Sequence, residues 1–75
     1  MEEKIFNIIN QVRKNSGLEA IADINKDLDL REDLELDSIS IAELITMIDN
    51  SFDVDINAGV LLKTVGDIID EMQNY

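Results

Sequence analysis

Apolar residues recur at helical spacing in three separate stretches of this chain, and that periodicity excludes most fold classes. Ile5, Ile8, Ile9 and Val12 follow i, i+3, i+4, i+7 and predict a helix over residues 2–15, with Phe6 beside the stripe. Ile41, Leu44, Ile45, Ile48 and Phe52 repeat the pattern over 39–51, and Val65, Ile68, Ile69 and Met72 repeat it over 64–73. Glu2 and Glu3 suit the positive end of the first helix dipole, and Arg13 and Lys14 suit the negative end. Asn15-Ser16-Gly17 reads as its stop. Thr64-Val65-Gly66-Asp67 fits a capping box with Thr64 as N-cap. Val60, Leu61 and Leu62 suggest a short helical turn within 57–63. No segment alternates apolar and polar residues cleanly enough for a strand. The expected fold is all-α, a small helical bundle of three main helices plus one short helix, with residues 1–75 as a single domain.

The segment from Ser16 to Asp37 carries no such stripe. Structureless loops beyond roughly 12–15 residues are uncommon in compact domains. Leu18, Ile21, Ile24, Leu28, Leu30, Leu34 and Leu36 punctuate the segment, and they can pin an irregular loop onto the helices. A further short helix here also fits the spacing.

The 75 residues include no cysteine and no histidine. The usual general base, the commonest metal ligand and any thiolate zinc site are therefore missing. No nucleophile–base pair of the ordinary kind can be assembled, so a non-enzymatic role is expected. Seventeen acidic side chains face six basic ones, for a net charge of −11. Such a surface repels nucleic acid and anionic membranes and attracts basic partners. No stretch approaches the roughly 18 apolar residues of a membrane span. Residues 1–15 carry acids early and no continuous apolar run, so no signal peptide is read and a cytoplasmic monomer is expected. A calcium-binding loop fits poorly. From Asp23, Leu28 stands where the turn glycine is needed and Leu34 where a bidentate glutamate is needed. From Asp53, Ala58 and Thr64 fail at the same two positions.

Asp37 and Ser38 stand at the start of the second helix, and both are good capping residues. Ser40-Ile41-Ala42-Glu43 also matches a capping box, which leaves the N-cap open by a few residues. At 100° per residue, Ile39 falls about 160° from Ile41, almost opposite the core stripe. An apolar side chain thus faces solvent directly after a serine at a helix start. Ala42 and Thr46 share that outer face and leave it low and uncharged. The free N–H groups and positive dipole of a helix N-terminus favour a phosphate on Ser38. Asp37 is suitably placed to help hold a magnesium ion during its attachment.

The run Asp33-Leu34-Glu35-Leu36-Asp37-Ser38-Ile39 resembles the signature of the acyl carrier protein family. In that signature an acid, a leucine and two variable residues precede Asp-Ser-Leu at the second helix. Glu43-Leu44 resembles the Glu-Leu one turn later, and Phe52-Asp53-Val54-Asp55-Ile56 resembles the segment that closes that helix. The resemblance implies that a phosphopantetheinyl transferase moves 4′-phosphopantetheine from coenzyme A onto Ser38. It further implies that the arm's thiol carries acyl or aminoacyl groups to partner ligases and synthases with basic docking patches. Asp37 would flank the cofactor, and Ile39, Ala42, Glu43 and Thr46 would meet partners. The missing cysteine then has a meaning, because the reactive sulfur is imported.

The sequence departs from fatty-acid-synthesis members in several places. Ile39 replaces the usual leucine, Ser40 replaces a frequent acid, and Asp49-Asn50-Ser51 offers one charge where an acidic run is usual. Asn57-Ala58-Gly59-Val60-Leu61-Leu62 lacks the usual proline and acidic cluster. The acids gather instead before Ser38, at Asp27, Asp29, Glu32, Asp33, Glu35 and Asp37. These departures point to a specialised carrier, or to an aminoacyl or D-alanyl carrier. An unmodified acidic interaction bundle, with Ser38 acting only as a cap, is the contrasting expectation.

Overall fold

Among the described residues three helices organise the chain: α1 (Glu2–Asn15), α2 (Ser38–Phe52) and α3 (Val65–Gln73). The structure, a computed structural model, describes residues 2–56 and 62–73. The short helix expected within 57–63 falls on residues 57–61, which lie outside the described residues. Leu62 and Lys63, which are described, are not helical.

The stripe of α1 forms as expected. Ile5, Ile9 and Val12 have no exposure and Ile8 is buried beside them. The helix ends in a Schellman arrangement. Gly17 adopts φ 84°, its N–H donates to Lys14 O at 3.0 Å, and the Leu18 N–H donates to Arg13 O at 2.8 Å. Only a residue without a Cβ takes that left-handed conformation without cost. In α3, Val65, Ile68, Ile69 and Met72 are buried. Thr64 is the N-cap: its Oγ1 accepts the Asp67 N–H at 3.2 Å. Asp67 Oδ2 in turn accepts the N–H groups of Lys63 and Thr64 at 2.9 and 3.0 Å.

The stripe of α2 needs correction. Leu44 and Ile48 are fully buried, but Ile41, Ile45 and Phe52 are only half-buried. Ser40 is buried instead, its Oγ 2.8 Å from Ser16 Oγ. The buried side of α2 is thus rotated toward α1, against which it packs. The turns that bear Ile41 and Ile45 face a groove rather than the core centre.

The connection from Ser16 to Asp37 contains turns but no helix. Leu30, Leu34 and Leu36 are buried, and Ile21, Ile24 and Leu28 pack half-buried against the core. The backbone is also stitched in place. Asn10 clamps Ile21, donating from Nδ2 to its carbonyl at 2.9 Å and accepting its N–H at 2.8 Å. Asp29 and Thr64 form an isolated antiparallel bridge. The Leu30 N–H donates to Lys63 O at 2.9 Å and the Val65 N–H to Leu28 O at 3.0 Å. Gly66 donates to Lys26 O at 2.9 Å, and an added Cβ there would stand 3.2 Å from that same oxygen. The close approach of two backbones is what glycine permits here.

Arg13 does more than face a helix dipole. It is buried, its Nε donates to Glu19 O at 3.0 Å, and its Nη1 donates to Leu34 O. One side chain of α1 therefore holds both ends of the long connection.

Ile48→Ala should empty a fully enclosed site and cost about 2–5 kcal/mol. Small domains have little stability in reserve. Denaturant titration should show a large fall in the unfolding midpoint.

Candidate functional site

The start of α2 is set by Asp37, which resolves the N-cap left open by the sequence. Its backbone is extended at φ −91°, ψ −177°, and its Oδ1 accepts the Ser40 N–H at 2.8 Å. The Asp37 carbonyl accepts the Ile41 N–H at 2.9 Å. These bonds make Asp37 an N-cap, with Ser38 as the first helical residue. The Ser40 N–H, followed by the Ser40 hydroxyl, holds the Asp37 carboxyl below its ordinary value of 3.8. Hydrogen bonds to the charged form have that effect.

Two residues earlier, Glu35 has φ 58°, a left-handed conformation unusual for a residue with a side chain. It lies between buried Leu34 and Leu36, whose N–H groups donate to Asp29 O and Leu30 O, both at 3.0 Å. The conformation costs about 1–2 kcal/mol. The two anchored leucines hold it, and they aim Asp37 and Ser38 out of the core.

Ser38 is exposed. Ile39 is 80% exposed, an unusually open position for a large apolar residue, as the helical wheel predicts. Ala42 and Thr46 are exposed on the same side, and the Thr46 hydroxyl donates back to Ala42 O at 3.0 Å. Glu43 flanks this strip on the α1 side, where its Oε1 accepts from Asn15 Nδ2 at 2.7 Å. Of the four expected contact residues, Ile39, Ala42 and Thr46 therefore form one strip next to Ser38 and Glu43 borders it. On its other flank lies a groove of about 740 Å³, lined by Ser38, Ile41, Ala42, Ile45, Thr46, Asp49, Asp55 and Ile56. Asp49 shapes its far end, where its Oδ1 accepts the Ile56 N–H at 3.0 Å.

The calcium-loop register from Asp23 is not met by this geometry. Leu34, at the position that needs a glutamate, is sealed in the core. Among the described residues no group of three or more acidic side chains is arranged to hold a metal ion. No helix of the described residues is long and apolar enough to cross a membrane.

Residues 7–72 match the family described as the phosphopantetheine attachment site. The chain belongs to the phosphopantetheine-attachment family of acyl carrier proteins. Its cofactor is 4′-phosphopantetheine, and its members are carriers rather than enzymes. The chain is 32% identical over 72 residues to the mitochondrial acyl carrier protein of Saccharomyces cerevisiae. The match covers 93% of this chain and 58% of that relative. A solved structure assigned as an acyl carrier protein from Mycobacterium tuberculosis superposes with a TM-score of 0.83 at 28% identity. That match covers 99% of this chain and 96% of the other. The family bundle is thus the fold expected from periodicity.

The local chemistry fits this cofactor. An exposed hydroxyl stands in the first turn of a helix, where the dipole favours phosphate, beside a groove open along α2. Sequence reasoning misses one contributor. Arg31 Nη2 lies 3.4 Å from Ser38 Oγ. The available signal is that Arg31 is the single cation in the acidic run from Asp27 to Asp37.

The Asp37 cap carries a pH signature. Its folded-state pKa lies below the unfolded value, so its stabilisation is complete above about 3.8 and is lost as pH falls through the lower folded value. Asp37→Ala should lower the thermal midpoint at neutral pH. The difference from wild type should shrink as melts are repeated at acid pH below 3.8.

Proposed function

We propose that Ser38 Oγ is the atom that receives the phosphopantetheine arm, and that the chain serves as a carrier in specialised acyl biosynthesis. The observation that carries this reading is the exposed Ser38 hydroxyl on the first turn of α2, within a chain of the attachment family. In the loading reaction the hydroxyl oxygen forms a new bond to the phosphorus of coenzyme A that bears the pantetheine. The bond from that phosphorus to adenosine 3′,5′-bisphosphate breaks, and the hydroxyl proton passes to a base on the transferase. When bound, the cofactor supplies a terminal thiol that holds an acyl group as a thioester.

The remaining roles belong to this chain's own side chains. Asp37 caps α2 with Oδ1, fixing the serine at the helix start, and its carboxylate would help hold a magnesium ion during transfer. Ile39 offers a desolvatable apolar contact, flanked by Ala42, Thr46 and Glu43. The loading partner is a phosphopantetheinyl transferase, and later partners are acyl-handling ligases and synthases. A cytoplasmic location is part of this reading.

The specialised assignment rests on charge. The only acids of α2 are Glu43 and Asp49, and both carboxylates accept hydrogen bonds within the domain. With two acids in fifteen residues and none in its first turn, α2 offers few carboxylates to a basic docking patch. Glu32, Asp33 and Glu35, before Ser38, are exposed. Turnover by generic fatty-acid elongation enzymes should accordingly be poor beside that of a housekeeping carrier.

Incubation with coenzyme A and a broad-specificity transferase should add the mass of one phosphopantetheinyl group. Ser38→Ala should abolish the gain; no gain in wild type, or a gain that survives the substitution, overturns the assignment. Ile39→Asp should leave the thermal midpoint nearly unchanged, because the side chain is exposed, while slowing transfer to Ser38. A large drop in its thermal midpoint would contradict the surface role.

A further inference from the structure

The cations of this acidic chain have distinct uses. Arg13 is buried on carbonyl oxygens, Lys26 pairs with Glu2 at 3.8 Å, and Lys4 lies 5.0 Å from the centre of the Phe52 ring. Arg31 differs. Among the described residues its guanidinium forms no ion pair, and its one side-chain hydrogen bond is the 3.4 Å contact to Ser38 Oγ. That contact is long for a bond to a neutral hydroxyl. It leaves most of the guanidinium's donor capacity unused.

The backbone beneath Arg31 is well anchored. Its N–H donates to Asp29 Oδ1 at 2.8 Å, and the Glu32 N–H donates to the same oxygen at 2.9 Å. Leu30 on one side and Leu34 further on are sealed in the core. The side chain is therefore projected toward Ser38 from a fixed turn. A phosphodiester on Ser38 would place its anionic oxygens two bonds beyond Oγ, on the phosphorus, within reach of that fork. It would also add negative charge beside Glu32, Asp33, Glu35 and Asp37, where a facing cation offsets like-charge repulsion. Guanidinium forks match phosphate oxygens better than any other side chain.

We propose that Arg31 binds the phosphodiester of the arm on Ser38 and acts as a positioning residue for it. Its guanidinium holds a non-bridging oxygen against the 29–34 turn and sets the direction in which the arm leaves the domain. This rests on Ser38 being the attachment atom. Arg31 touches no part of the cargo, and its role is to restrict the root of the arm.

The test uses the full chain loaded with phosphopantetheine, as wild type, Arg31→Lys and Arg31→Gln. Phosphorus NMR reads the phosphodiester directly. In wild type its shift and relaxation should differ from those of a free pantetheine phosphodiester. Arg31→Gln should return both to the free values, and Arg31→Lys should fall between. Wild-type values already equal to the free ones, or unchanged values in a folded Arg31→Gln, overturn the proposal. A second reading needs no Gln variant: the Arg31 Nε–H resonance, identified by its loss in Arg31→Lys, should move on conversion of the unloaded to the loaded protein. An unmoved resonance also overturns it. Failure of wild type to load at all removes the attachment assignment itself, and is visible by mass before any NMR is recorded.

Discussion

Arg13 brings a guanidinium into the interior with no carboxylate to neutralise it among the described residues. A buried charge is expensive unless its donors are used. Here they are used by backbone carbonyls of Glu19 and Leu34, which come from the two ends of the long connection. A carbonyl cannot lose its acceptor role by protonation, so this tie is insensitive to pH where an ion pair would not be. It converts an irregular stretch into a fixed support, and the geometry around Ser38 follows from it. With Leu34 held by α1 through its carbonyl and by the core through its side chain, the turn before α2 has little freedom left.

That fixed turn explains two unusual features near Ser38. Glu35 is held left-handed between buried leucines, and the strain is maintained by the packing on either side. Asp37 then meets the helix in an extended conformation and caps it. The result is a serine hydroxyl directed to solvent, with a cation from the same turn beside it. The groove along α2 opens at the same place because the buried side of α2 is turned toward α1. Exposed serine, apolar strip and groove are thus three consequences of how α2 is seated.

Electrostatics are arranged with the same economy. Asp29, Asp37 and Asp67 each accept backbone N–H groups, which hold their carboxyls below the ordinary value. These acids cap turns and helices. These three carboxylates therefore serve the fold as well as adding to the negative charge of the chain.

Periodicity alone determined the three helices, because apolar residues at i, i+3, i+4 and i+7 share one face in a helix and not in a strand. The motif around Ser38 was equally legible, since capping and exposure depend on neighbours close in sequence. The exposure of Ile39 followed from its angle to Ile41 and the apolar stripe that Ile41 belongs to. The seating of α2 was not legible: Ile41 and Ile45 carry the same spacing as Leu44 and Ile48, and only the position of α1 decides which pair is enclosed. Nor were the burial of Arg13, the left-handed Glu35 or the approach of Arg31 to Ser38. Each depends on where the Ser16–Asp37 connection lies against the helices, and no local pattern encodes that path. It was decided by tertiary packing, through scattered leucines and one guanidinium that reach partners distant in sequence.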